Sequence, residues 1–194
     1  MTRALVASLG ALALTGCISF GAKPPPQLLT LSSDATVPVG QAQSSAAGAT
    51  ITIAVPAVPQ AIATLRVPVQ QGPTAVAYVK DAQWVEPPAR QFARLLSDTV
   101  TAKTGRVVLS QTQSFADPGA RLAGELRSFG MDAASGSAVV IFDASLIRNE
   151  GKAVEKRRFE ASVPAGAIDA AIVGPALNQA ANQVAGEVAD WVGR

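Results

Sequence analysis

The 194-residue chain contains no histidine and a single cysteine, Cys17. Without histidine the chain cannot build Ser–His–Asp or Cys–His nucleophilic systems, and it supplies no imidazole ligand for a metal. One cysteine excludes an internal disulfide and a cysteine-rich zinc site. There is also no glycine-rich phosphate loop that ends in Gly-Lys-Ser/Thr. These absences close the common enzymatic routes and leave only carboxylate or lysine chemistry to an enzyme, and they predict no metal or nucleotide cofactor.

Charge and aromatic side chains are also scarce. Charged residues make up 15% of the chain and aromatics 5%, and the formal net charge is +2. A basic stripe with interleaved aromatics is missing, so the sequence does not predict nucleic-acid binding. Apolar residues reach 48%. That content is enough for one domain with a core of mostly small side chains.

The N-terminus has the pattern of a secretory signal. Arg3 precedes an uncharged and mainly apolar run over residues 4–14. As a helix this run would reach only about 16 Å at ~1.5 Å per residue, against the ~30 Å core of a bilayer. We expect a cleaved signal rather than a membrane span.

The apolar run ends in "LTGC", residues 14–17, which resembles the bacterial lipobox. The lipobox resemblance implies cleavage between Gly16 and Cys17, a diacylglycerol thioether on Cys17 and an N-acyl chain on its new amino group. The alternatives are a chance Gly-Cys pair after a plain signal, or a core cysteine. Ile18 stands where lipoproteins retained in the inner membrane usually carry aspartate. The resemblance therefore implies the periplasmic face of the outer membrane, with the anchor in its inner leaflet.

Three segments follow from this interpretation. Residues 1–16 are the signal peptide, residues 17–27 are the lipidated cysteine with a tether, and residues 28–194 are the domain. The tether contains "GAKPPP". Consecutive prolines favour an extended polyproline II chain and contribute no core.

Within the domain, hydrophobic periodicity predicts strands, a helix, more strands and a second helix. Strands are predicted at residues 28–33, 50–55, 63–69, 74–80, 120–131, 137–148 and 152–163, with a tight turn at 149–151. The first helix is predicted over residues 86–105, with prolines in its opening turn and Gly105 as its cap. The second carries a stripe from Leu177 to Trp191, and Pro175 is expected in its first turn. We predict a single α+β domain, a mostly antiparallel sheet with two main helices on one face and a polar or partner-covered opposite face.

Three features of the domain invite a functional interpretation. Trp84 is either an exposed anchor for a partner or a core residue that covers the helix N-terminus, and the second is favoured because tryptophan is usually buried. Asp143 could be a catalytic acid, but no second carboxylate is placed to work with it. It is more simply an exposed carboxylate or one that pairs with an arginine on a neighbouring strand. Arg157 and Arg158, in "EKRRF", should point to opposite faces of a strand, which weakens any basic patch.

Several segments together resemble a known family. They are "ITIAVPAVPQAIATLRVPV", "AYVKDAQWVEPPARQFARLLSDTV", "LAGELRSFGMD" and the final "VADWV", all downstream of the lipobox. This pattern is similar to the auxiliary lipoprotein component of ABC-type transport systems, the family of paraquat-inducible protein C. Many members have tyrosines where this chain has "QLLTL" and a Leu-Asp-Arg segment where it has "AIATL".

The resemblance implies partners and a role. The partners would be a periplasmic MCE-domain protein with its ABC permease and ATPase, and the role would be non-catalytic docking during movement of phospholipids or other hydrophobic molecules. Tyr78 and Trp84 lie in one of the most specific segments and are the candidate partner-binding residues. A homo-oligomer is expected if the lipoprotein caps a ring-shaped MCE assembly. The alternatives are an assembly factor or linker of another envelope machine, and, least supported, a lipid-anchored hydrolase.

Overall fold

The computed structural model describes residue 25 and residues 27–46, 49–115, 119–148 and 153–193. The lipobox and the turn predicted at 149–151 lie outside the described residues. Two helices and seven strands form within them. The helices are α1, Pro88–Thr104, and α2, Ala170–Val192. The strands are β1 Thr50–Ile53, β2 Arg66–Gln70, β3 Val76–Gln83, β4 Val107–Leu109, β5 Ala120–Asp132, β6 Ser137–Arg148 and β7 Ala153–Pro164.

The long strand β5 organises the sheet. One of its edges pairs antiparallel with β6, which in turn pairs antiparallel with β7. The other edge is shared, because β1 runs parallel to the first residues of β5 and β2 runs parallel to its last ones. Beyond them, β4 pairs with β1 and β3 pairs with β2. The predicted single α+β domain is confirmed, and its sheet is mixed, with long antiparallel ladders and short parallel ones.

The position of helix α1 agrees with the apolar pattern and the cap residue of its sequence. Its apolar stripe, which includes Phe92, Leu96 and Val100, is fully buried. Gly105 ends the helix in the left-handed conformation, with φ of 68°, and donates its N–H to the carbonyl of Thr101. Glycine suits this position because it has no Cβ to strain the backbone. The prediction for this helix is confirmed.

Helix α2 begins earlier than expected. The Asp169 side chain caps it by accepting hydrogen bonds from the backbone N–H groups of Ala171 and Ile172. Pro175 is therefore inside the helix, and its placement in the first turn was wrong. The missing N–H of proline leaves the Ala171 carbonyl without its helical donor. Both Ala171 and Pro175 are exposed, so water can reach that carbonyl.

Both helices pack on the same face of the sheet. Phe92 of α1 lies edge-on to Phe142 of β6, with 5.4 Å between ring centroids. Trp191 of α2 lies 5.5 Å from Phe159 of β7. Phe142 and Phe159 are direct cross-strand partners and so face the same side. The prediction that the two helices share one face is confirmed.

The strand predicted at residues 28–33 does not form. Leu29 makes a single parallel bridge to Trp84, and the rest of the stretch has no ladder partner within the described chain. Its apolar alternation is typical of a strand, but the chain instead lies against the helices, where side chains supply its hydrogen bonds. This placement is the basis of the site described next.

Candidate functional site

The chain that enters the domain from the predicted tether is held at one end of the sheet. We call residues 29–34 the docked segment. The Leu29 N–H donates to the Gln83 carbonyl at 2.7 Å, and the Leu29 carbonyl accepts from the Val85 N–H at 2.9 Å. A Cβ at Gly174 of α2 would collide with the Leu29 side chain. Glycine at this position therefore lets the segment approach the helix closely.

Side-chain amides from both helices fix the rest of the docked segment. Gln91 of α1 accepts from the Leu31 N–H at 2.8 Å and donates to the Glu86 carbonyl at 2.9 Å. On α2, Asn178 accepts from the Ser32 N–H at 2.8 Å. These contacts provide acceptors for the Leu31 and Ser32 N–H groups, which have no ladder partner within the described residues.

Asn182 binds the docked segment at two points. Its Oδ1 accepts from the Asp34 N–H at 2.9 Å, and its Nδ2 donates to the Ser32 carbonyl at 2.9 Å. We call these two hydrogen bonds the Asn182 clamp, and we did not predict it from the sequence. Its only sequence signal was the spacing of Asn178 and Asn182, which puts two amides on one face of a helix.

Replacing Asn182 with alanine is expected to loosen the docked segment. Loss of two hydrogen bonds should lower the free energy of local opening by about 1–2 kcal/mol. Hydrogen–deuterium exchange at the amides of Ser32 and Asp34 measures this opening. Gln43→Ala, which removes an exposed amide, is the matched control. Unchanged exchange in Asn182→Ala would show that the clamp does not hold the segment.

Trp84 is the parallel bridge partner of Leu29, the first residue of the docked segment. Its side chain is 1% exposed, and its ring packs 5.5 Å from the ring of Phe129. This burial agrees with the interpretation of Trp84 as a core residue. The indole Nε1 has no hydrogen-bond acceptor among the described residues, an unfavourable feature for a buried donor. Its role in partner binding stays a prediction.

Tyr78, the other candidate, is half-buried on the edge strand β3. The guanidinium of Arg66 stacks 4.0 Å from the centre of its ring, an arrangement favoured by the ring quadrupole. The pair offers one aromatic and one cationic group at the sheet edge. Its contact with a partner likewise stays a prediction.

The face of the sheet turned away from the helices carries charge. Arg158 of β7 binds both carboxylate oxygens of Asp143 on β6, at 2.6 and 2.8 Å. Arg127 lies 3.5 Å from the same carboxylate. The hydrogen bond from Arg158 is the main reason that the pKa of Asp143 lies below its ordinary value. The expected pairing of Asp143 with an arginine of a neighbouring strand is confirmed, and the arrangement is that of an ion pair.

The lowered pKa of Asp143 predicts a pH-dependent contribution to stability. A carboxyl whose folded pKa is below its unfolded value of about 3.9 stabilises the fold above that pH. The contribution is lost as the pH falls through the folded pKa. Asp143→Asn should therefore be slightly less stable than wild type at pH 7, and the difference should vanish in acid.

Urea unfolding across this pH range measures the effect. Glu187→Gln, which neutralises an exposed carboxylate on α2, is the control. A difference between Asp143→Asn and wild type that persists unchanged at low pH would contradict the ion-pair account.

Arg157 turns to the other face of β7. Its guanidinium carbon lies 5.0 Å from the ring centre of Phe159, on the helix side of the sheet. Arg157 and Arg158 thus point to opposite faces, as predicted.

The described residues offer neither a cluster of metal ligands nor a membrane-spanning helix. No group of three or more acidic, histidine or cysteine side chains is placed to hold a metal ion there. None of the helices in the described part of the chain is long and apolar enough to cross a bilayer. Gly16 and Cys17 lie outside the described residues, so their predicted cleavage and lipidation stay predictions.

Solved structures show the same fold. A crystal structure of a Xanthomonas campestris protein of the DUF330 family is 22% identical, with a TM-score of 0.67, covering 86% of this chain and 94% of that one. A second crystal structure, of an uncharacterized protein, is 17% identical with a TM-score of 0.64, covering 74% of this chain and 92% of that one. No curated protein matches the sequence.

The family assignment comes from a match that spans most of the chain. Residues 29–189, from the docked segment almost to the end of α2, match the family model described as the ABC-type transport auxiliary lipoprotein component. That description is of an envelope lipoprotein with an auxiliary part in transport. The chain belongs to the family of ABC-type transport auxiliary lipoprotein components, in agreement with the resemblance seen in its sequence.

Proposed function

We propose that this lipoprotein is the outer-membrane docking component of an MCE-linked ABC transporter that moves phospholipids or other hydrophobic molecules across the periplasm. The observation that carries the proposal is the family match over residues 29–189, directly downstream of a lipobox-like sequence that ends in Cys17. The role is mechanical rather than catalytic. The lipoprotein holds the end of the periplasmic assembly at the membrane and shortens the aqueous path for a lipid.

The anchor in this proposal is Cys17. After cleavage behind Gly16, its thioether diacylglycerol and N-acyl chain hold the protein in the inner leaflet. Two or three acyl chains, at ~0.8 kcal/mol per buried CH₂, give stable attachment where a single chain does not. Ile18, in place of an inner-membrane retention aspartate, favours the outer membrane as the destination.

The tether limits where the domain can work. Eleven residue steps separate Cys17 from Leu28. Even a fully extended chain of this length reaches only about 40 Å, at ~3.3–3.6 Å per residue. The domain therefore stays within that distance of the membrane surface, where it can receive the end of a periplasmic partner.

Photocrosslinking in intact cells tests the partnership. A photoreactive amino acid in place of Tyr78 is expected to capture the MCE-domain protein, because the Tyr78–Arg66 pair is accessible on the edge strand β3. The matched control carries the same group in place of Val154, on the opposite edge strand β7. If the MCE protein is captured neither from these two positions nor from further exposed positions, the docking role is refuted. This conclusion does not depend on the result for Cys17.

A further inference from the structure

Three exposed apolar residues lie on neighbouring chain segments at the point where the tether reaches the domain. Leu28 is 48% exposed, Leu65 is 42% exposed and Val85 is 52% exposed. We call these three residues the apolar rim. Exposed apolar groups in one place mark an interaction surface more often than single ones do.

Backbone hydrogen bonds hold the three parts of the rim side by side. The Trp84 N–H donates to the Leu65 carbonyl at 2.7 Å, and the Val85 N–H donates to the Leu29 carbonyl at 2.9 Å. The strand end at residues 83–85 is thus flanked by Leu65 on one side and by the chain of Leu28 and Leu29 on the other. The rim has a fixed place in the fold.

The residues beside the rim suit a membrane surface. Arg66 follows Leu65 directly, and its guanidinium stacks on Tyr78. Arginine has an apolar stem and a charged tip and is favoured where apolar and aqueous phases meet, so Arg66 can border the bilayer while Tyr78 lies further along β3. Glu86, the acidic residue next to Val85, forms an ion pair with Arg94, which offsets its charge.

The route of the chain indicates what the apolar rim contacts. Residues 18–27 are all that separate the predicted acyl anchor from Leu28, so this end of the domain is tied to the bilayer. A surface held permanently near lipid meets lipid more often than any soluble partner, because tethering raises its effective concentration there.

We propose that the apolar rim is a second membrane contact, in which Leu28, Leu65 and Val85 enter the interface of the bilayer that carries the anchor. The inference rests on the acyl anchor of the proposed function. It adds an orientation: the tether end of the sheet faces the lipid, and the β4 and β7 edges do not. The acyl chains supply the attachment, and the rim sets which way the domain faces.

The lone cysteine makes the test specific. In the mature lipoprotein the Cys17 thiol is consumed by its lipid, so a cysteine introduced elsewhere is the single free thiol. Val85→Cys and, separately, Leu28→Cys would be labelled with an environment-sensitive fluorophore in the full mature lipoprotein. Val154→Cys, at a 57% exposed valine on β7, is the matched control. The proteins would be reconstituted into phosphatidylethanolamine–phosphatidylglycerol vesicles with or without lipids that carry a nitroxide near the top of the acyl chain.

A label that enters the interface lies about 5–10 Å deep, within reach of a shallow nitroxide, and should lose at least about half of its emission. We expect this quenching and a blue shift at positions 85 and 28 and neither at position 154. Vesicle flotation distinguishes a failure of the rim contact from a failure of the acyl anchor. Protein that floats with the vesicles without quenching at 85 and 28 overturns the rim contact and leaves the anchor intact. Protein that does not float overturns the anchor itself, and equal quenching at all three positions overturns the orientation.

Discussion

Replacing Phe129 with alanine is expected to lower the free energy of unfolding by about 3–5 kcal/mol. Phe129 is completely buried in β5. Its ring centroid lies 5.5 Å from that of Trp84 and 6.3 Å from that of Phe92. The substitution therefore opens a cavity between the sheet and α1, beside Trp84. Since a domain is typically stable by only about 5–15 kcal/mol, this is a large share of the total.

The measurement is urea unfolding followed by tryptophan fluorescence, in which Trp84 reports from the wall of the new cavity. Phe115→Ala is the matched control, because Phe115 is 89% exposed and its loss should change stability by no more than about 0.5 kcal/mol. Similar losses in the two variants would show that Phe129 is not a centre of the core.

Replacing Cys17 with serine is expected to abolish acylation and to release the protein from the membrane. A serine hydroxyl cannot form the thioether, so the chain loses two or three acyl chains at once. At ~0.8 kcal/mol per CH₂ that loss exceeds any compensation the rim could supply. The folded domain should be unaffected, since Cys17 precedes the docked segment.

Incorporation of a palmitate analogue and the distribution between membrane and soluble fractions measure this effect. Ser19→Ala, two residues downstream, should leave both unchanged. Acyl label retained by Cys17→Ser would mean that lipid is attached elsewhere, and the assignment of Cys17 would fail. An altered tryptophan emission spectrum in this variant would instead indicate a folding role for the N-terminal residues.

Elements with strong local signals could be predicted well from the sequence. Strand β6 was predicted at 137–148 and is Ser137–Arg148, since an apolar run rich in β-branched residues lies between two turn-like stretches. Helix α1 ends at Gly105 because a left-handed cap requires a residue without a Cβ. The pairing of Asp143 with an arginine followed from its place in an otherwise apolar run.

Features that depend on distant contacts could not be predicted. The stretch at residues 28–33 has the alternation of a strand, but its hydrogen-bond partners are amides more than 50 residues away in sequence. The start of α2 was misjudged because the cap from Asp169 outweighs the break expected at Pro175. The parallel pairings of β5 depend on the routing of the whole chain, which periodicity does not reveal.

The docked segment also determines how the domain responds to tension. An edge strand pulled from its end opens one hydrogen bond after another. Withdrawing residues 29–34 instead loads the bonds to Gln91, Asn178 and Asn182 together with the backbone bonds of Leu29, so the strain is divided between two helices and the end of β3. In the function proposed above, the protein is fixed to a membrane at one end and to a periplasmic assembly at the other, and it is then a link under load. The side-chain amides carry part of that load into the helical layer, and the backbone bonds of Leu29 carry the rest into the end of β3.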